Sequence, residues 1–203
     1  TKDGSQTALY QASYGGNVEM VQVLLRAGAD VNIGSQTGYS PLFGAADAYR
    51  QYGGPDYGKI AEMLIAAGAK LDNPPGVSSP LHGAGRDGNV EVMKVLLKHK
   101  PKLDTFDRFG KAPIHYAASH REKYAECLRL LIAAGADVNL ATGKSLAVAG
   151  PKNQTPLLVA CQFRSLEGVK MLLAAGAKVD AVDDRGQSAL HYAAGLENTA
   201  VLA

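Results

Sequence analysis

One short motif recurs six times along the chain, and that repetition constrains the fold before any single residue is weighed. Its copies are Thr7-Ala8-Leu9-Tyr10, Ser40-Pro41-Leu42-Phe43, Ser79-Pro80-Leu81-His82, Ala112-Pro113-Ile114-His115, Thr155-Pro156-Leu157-Leu158 and Ser188-Ala189-Leu190-His191. The central Leu or Ile of successive copies is separated by 33, 39, 33, 43 and 33 residues. A second motif follows each of the first five copies, in the runs Leu24 to Asn32, Leu64 to Asp72, Leu96 to Asp104, Leu131 to Asn139 and Leu172 to Asp180. Such a period means that one supersecondary unit is built repeatedly and buries its apolar faces against its neighbours.

Within each period the residues specify two helices. Val18, Val21, Leu24 and Leu25 share one helical face, and Leu166, Val169, Leu172 and Leu173 repeat that spacing. Pro41, Pro80, Pro113 and Pro156 suit the first helical turn, where a missing N–H costs nothing, and the Ser or Thr before Pro41, Pro80 and Pro156 suits an N-cap. Gly28, Gly68, Gly135 and Gly176 fall where a helix needs a left-handed residue to end it.

The 33-residue period and the Thr-Pro-Leu-His-x-Ala-like signature resemble those of the ankyrin repeat over essentially the whole chain. The resemblance implies an all-α repeat solenoid, an ankyrin-repeat stack of helix-turn-helix units with β-hairpin fingers, whose inner surface binds other proteins. The expected organisation is a single domain over 1–203, with repeats near 2–33, 34–73, 74–106, 107–140, 141–181 and 182–203.

Two departures stand out. In the third repeat Lys100 and Pro101 replace the capping glycine and its successor, so either Lys100 accepts a positive φ, at about 1–2 kcal/mol, or the helix ends differently. This turn is expected to be the least regular. The sixth repeat stops at Ala203 within its second helix, and the chain opens on Thr1 rather than Met. The expectation is that the natural protein continues or that another chain covers Leu190 and its neighbours.

Binding variability in proteins similar to this one concentrates on finger tips and on the ends of the first helices. Carried over by position, the candidate partner-binding residues are Tyr14, Tyr39, Asp47, Arg86, Asp87, Arg108, Phe109, Lys111, His120, Gln162, Phe163 and Arg185. Phe109, Phe163 and Tyr14 lead them, as aromatics where the pattern expects solvent. Two insertions extend the surface. The first, Ala48 to Gly58, adds Tyr49, Tyr52 and Tyr57 in a Gly/Pro-rich segment, which either offers contact area or covers its own base. The second, within 140–154, lengthens one finger and carries Leu146 and Val148 near its tip.

Chemistry finds little support. His82, His115 and His191 hold equivalent places in separate repeats, so stacking keeps them apart, and the resemblance implies that they hydrogen-bond the hairpin backbone. No Cys-x-x-Cys or His-Glu-x-x-His spacing exists, so no metal or other cofactor is expected. Thr142-Gly143-Lys144-Ser145 ends like a phosphate-binding loop, but Val138 stands where its first Gly belongs. Asn32 and Asn139 each follow Asp-Val and resemble the context that an asparaginyl hydroxylase modifies; the alternative is hydrogen bonding within the turn.

The 21 basic and 19 acidic residues leave a net charge of +2, too small to mark a dedicated nucleic-acid binder. The cluster Lys98-His99-Lys100-Pro101-Lys102 is explained mostly by a helix C-terminus. Apolar runs reach seven residues, as at Leu130 to Ala136, against roughly 20 for a membrane span. Cys127 and Cys161 lie inside helical patterns and suggest no disulfide framework, so the expected setting is reducing, intracellular and cytoplasmic. The functional expectation is a non-enzymatic interaction scaffold for a protein or peptide, without nucleic-acid or membrane partners. The alternative is a regulatory or targeting domain of a larger enzyme, channel or effector. A monomer is expected, with end-to-end contact at the C-terminal end as the route to self-association.

Overall fold

The Pro residues and their N-caps open helices as their chemistry requires. Ser40 Oγ accepts from the Phe43 N–H at 3.2 Å, and Thr155 Oγ1 from Leu158 N–H at 3.4 Å, with Pro41 and Pro156 in the first turn. The computed structural model describes residues 6–35, 38–48, 56–74, 76–119, 125–143 and 151–195, and the chain divides into two compact units, Thr1–Lys102 and Leu103–Ala203.

In the first unit, α1 (Ala8–Tyr14), α3 (Pro41–Ala46) and α5 (Pro80–Asp87) form one row and α2 (Val18–Arg26), α4 (Tyr57–Ala66) and α6 (Val90–Lys98) a second. In the second unit, α7 (Pro113–Ala118), α9 (Pro156–Gln162) and α11 (Ala189–Ala194) form one row beside α8 (Ala125–Ala133) and α10 (Leu166–Ala174). These helices have six to ten residues, below the ~12–15 at which an isolated helix becomes even marginally stable in water, so packing holds them. The repeated Leu or Ile supplies that packing. Leu9, Leu42, Leu81, Ile114 and Leu157 are 0–1% exposed, whereas Leu190, their counterpart in α11, is 64% exposed.

Helix ends also follow the sequence. Gly28, Gly68, Gly135 and Gly176 have φ between +79° and +91°. After each, an alanine N–H reaches back to a leucine carbonyl, as Ala29 does to Leu24 and Ala69 to Leu64, both at 3.0 Å. Lys100 takes the first of the two courses open to it and adopts φ +52°. Pro101, in the alanine's place, has no N–H, so this turn keeps the left-handed backbone and forfeits one hydrogen bond.

Neighbouring repeats are joined by a ladder of Asx side chains. Asn32 Oδ1 accepts from Lys70 N–H at 2.9 Å and its Nδ2 donates to the Gly68 carbonyl at 3.2 Å. Asn139 does the same with Lys178 N–H at 2.8 Å and the Gly176 carbonyl at 3.3 Å. Asp72 keeps only the acceptor half, toward Lys102 N–H at 3.1 Å.

The fingers are tight turns rather than strand pairs. Backbone bonds join Ser35 N–H to Tyr39 O at 2.8 Å, Asp107 N–H to Lys111 O at 3.0 Å and Asp183 N–H to Gln187 O at 3.1 Å. Among the described residues, no strand longer than a bridge forms on them; Val182 and Ser188 pair in an isolated antiparallel bridge. Among the described residues, the expected β-hairpin fingers are represented by these turns and by isolated bridges. The long insertion closes at its base, where Thr142 N–H donates to Gln154 O at 2.9 Å and Gln154 N–H to Thr142 Oγ1 at 3.0 Å. Leu146 and Val148 lie outside the described residues.

Candidate interaction surface

Two fingers of the second unit are each braced from within by a buried aspartate. Asp107 Oδ1 accepts from the N–H groups of Phe109 (2.9 Å) and Lys111 (3.1 Å), while Oδ2 accepts from Tyr116 Oη–H at 2.7 Å. Asp183 repeats the arrangement with Arg185 N–H, Gln187 N–H and Tyr192 Oη–H at 2.9, 2.9 and 2.7 Å. Burial first, and then the bond to Asp183, push Tyr192 up to about 12.

The finger between these two is tied to both. Gly143 N–H donates to Gly110 O at 2.7 Å, Asp184 N–H to Lys152 O at 3.0 Å, and Lys152 N–H to Asp184 Oδ1 at 2.8 Å. Gln154 completes the tie, its Nε2 donating at 3.1 Å to both Gln162 Oε1 and Tyr192 Oη.

These bonds leave a cavity of about 230 Å³ lined by Phe109, Lys111, Tyr116, Lys152, Gln162 and Phe163, among others. Phe163 stays 44% exposed at the end of α9. The Lys111 ammonium stands 5.3 Å from the centre of the Tyr116 ring, and burial lowers its pKa while the Asp107 carboxylate pulls the other way. Arg108 covers the Phe109 ring at 4.8 Å.

A second cluster lies in the first unit. Tyr10 and Tyr14 stack at 6.3 Å, and Tyr39 stacks on Phe43 at 4.1 Å, with the Arg86 guanidinium 5.9 Å from the Phe43 ring centre. A Cβ on Gly83 would meet the Asp47 nitrogen at 3.3 Å, so α5 packs tightly against the end of α3 here, where Arg86 pairs with Asp47. Asp87 sits beside that pair. Burial first, and then the Asp47 carboxyl, push its pKa up to about 7. Its Oδ2 is buried and has no hydrogen-bond partner.

The candidate residues therefore gather into two groups. Tyr14, Tyr39, Asp47, Arg86 and Asp87 belong to the first cluster, Phe109, Lys111, Gln162 and Phe163 to the cavity, and Arg108 to its Phe109 wall. Arg185 is exposed on its own finger and does not line the cavity. Tyr49, Tyr52 and His120 lie outside the described residues. Tyr57 takes the covering role: it opens α4, is buried, and donates its hydroxyl proton to Tyr14 O at 3.1 Å. Sequence reasoning missed Tyr116, Pro151 and Lys152 as cavity residues, although the Asp-to-Tyr spacing of nine shared by Asp107/Tyr116 and Asp183/Tyr192 was a signal for the first.

The histidines serve the scaffold. His82, His115 and His191 each accept through Nδ1 from the backbone N–H three residues earlier, at 3.0–3.2 Å. His115 Nε2 donates to Leu140 O at 2.9 Å, which fixes the neutral Nε2–H tautomer, and burial lowers its pKa to about 4. Among the described residues, no three or more His, Cys, Asp or Glu side chains group to hold a metal, and no helix is long and apolar enough to cross a membrane.

The sequence matches the family described as "Ankyrin repeats (3 copies)" over residues 1–74, 52–142 and 140–203. The chain belongs to the ankyrin-repeat family. The crystal structure of the human ASB11 ankyrin repeat domain is similar with a TM-score of 0.76 and 28% identity, covering 96% of this chain and 80% of that one. The cyclin-dependent kinase 4 inhibitor B of Rattus norvegicus is 32% identical over 140 residues, 66% of this chain and 97% of that protein. A probable E3 ubiquitin-protein ligase, XBOS32, of Oryza sativa subsp. japonica is 35% identical over 117 residues, 56% of this chain. That match spans only 22% of the rice protein. The all-α repeat fold is thus that of the ankyrin repeat, a protein–protein interaction module.

Proposed function

We propose that this ankyrin-repeat chain is a non-enzymatic scaffold that holds a partner protein or peptide on its finger tips and first-helix ends. The observation that carries this reading is the convergence of Phe109 and Lys111 from one finger, and Gln162 and Phe163 from the end of α9, on a single partly apolar cavity. Aromatic side chains in such positions are the usual anchors of interfaces. The Asp-braced fingers are ordered before binding, so less entropy is lost on association. The setting proposed is intracellular, in keeping with the buried thiols of Cys127 and Cys161.

The test is site-specific photo-crosslinking from position 109 to recover the partner, followed by affinity measurement with the Phe109→Ala, Lys111→Ala, Phe163→Ala triple variant. Affinity should fall at least tenfold at unchanged melting temperature; an unaltered affinity refutes the surface.

A second reading, a targeting or regulatory domain within a larger protein, is favoured by the partial span of the rice ligase match. Asn32 and Asn139 are proposed hydroxylation sites only in a locally opened chain, because both side-chain amides are engaged in the folded one. Absence of added oxygen on either residue in mass spectra of the native protein removes that idea.

A further inference from the structure

We infer that the cavity of the second unit recognises an acidic peptide segment in which a carboxylate lies next to an apolar side chain. The inference rests on the interaction role proposed above and specifies its partner chemistry. Phe109, Phe163, Pro151 and the face of Tyr116 supply apolar walls, and the charged residues lining the cavity are Lys111 and Lys152. Among the described residues, no acidic one lines it.

The nearby acids are engaged within the fold, and Asp107 also acts on Lys111. Asp107 takes two amides and the Tyr116 hydroxyl, and Asp184 Oδ1 takes the Lys152 amide. Lys111 is half-buried against an aromatic ring, so a carboxylate reaching it is attracted through a medium less screening than water. Gln162, whose Oε1 accepts from Gln154 Nε2 at 3.1 Å, also lines the cavity.

Size favours side chains over a free metabolite. The volume of about 230 Å³ falls below the ~300–1,000 Å³ typical of sites that engulf small molecules. Two lysines are also too few for the basic track that a nucleic-acid backbone demands. The fitting occupant is therefore one acidic residue toward Lys111 and Lys152 with an adjacent Leu-, Met- or Phe-like residue between Phe109 and Phe163.

The test uses the full chain and a displayed random-peptide library, followed by affinity measurement on synthetic copies of the enriched peptides. Enriched sequences should carry an acidic residue beside an apolar one, and amidating that carboxylate should weaken binding about tenfold or more. Lys152→Glu, at an exposed position, should do the same and should be rescued by a lysine in place of the peptide's acid. Lys111→Gln should also weaken binding, with melting curves verifying the fold.

Binding that depends on Phe109 and Phe163 but selects neutral or basic peptides overturns this inference and leaves the interaction role standing. Equal competition by a single-stranded nucleic acid, insensitive to Phe163→Ala, also overturns it. Failure of any protein or peptide to bind through Phe109 and Phe163 overturns the interaction role itself.

Discussion

Asn32 bridges to Lys70 across 38 residues, its Oδ1 accepting the Lys70 backbone N–H at 2.9 Å. The same side chain donates to Gly68 O, so one amide joins two repeats through main-chain atoms alone. Asn32→Ala should cost about 1 kcal/mol, since these groups are exposed and water replaces part of what is lost. Asn32→Asp, which keeps the acceptor as Asp72 does, should cost less. Denaturant melts of the two variants give the comparison, and equal losses would contradict the assigned role of Oδ1.

Lys100 carries a left-handed backbone that its side chain disfavours. Lys100→Gly should therefore raise stability by about 1 kcal/mol, less whatever the looser unfolded chain gives back. Gly68→Ala, placing a Cβ at φ +91°, should lower it by a comparable amount. Chemical denaturation of both decides the matter.

Acid should act oppositely on the two units. Asp87 rises from 3.8 to about 7 on folding, so the native state holds a proton that the unfolded chain has released. Its contribution falls as pH climbs through that window. His115 drops from 6.5 to about 4, so its contribution is present above pH 6.5 and is lost as pH falls toward 4. Asp87→Asn should flatten the first dependence, and hydrogen exchange resolved by segment should show Leu103–Ala203 loosening first in acid.

Both thiols should resist modification in the native state. Burial pushes Cys127 up to about 12 and Cys161 up to about 11, leaving almost no thiolate. Labelling by a chromogenic disulfide in mildly alkaline buffer should proceed at the unfolding rate and become immediate in denaturant. Fast labelling of the folded chain would count against this packing.

The helices were legible because their determinants are local. Proline, its preceding cap and the terminal glycine act within four residues, so Pro41 and Gly28 could be placed from neighbours alone. The cavity was legible in part. Phe109, Lys111, Gln162 and Phe163 follow from the repeat register, whereas Lys152 sits within the 140–154 insertion, where that register breaks. By sequence Tyr57 falls in the insertion, because a Gly/Pro-rich run leads into it. The decisive residue is Asp56, whose Oδ1 accepts Lys59 N–H at 2.8 Å and starts the helix there. The Asx ladder was hidden for another reason: its partners are backbone groups 30 to 39 positions away, which carry no residue signature.

Asp107 and Asp183 grip the amides of their own fingers, not the side chains. The bend therefore tolerates any side chain at positions 108, 109 and 185 that leaves the backbone N–H in place, which excludes only proline at 109 and 185. Mutation can redraft what this face says to its partner while the syntax that carries the words stays untouched.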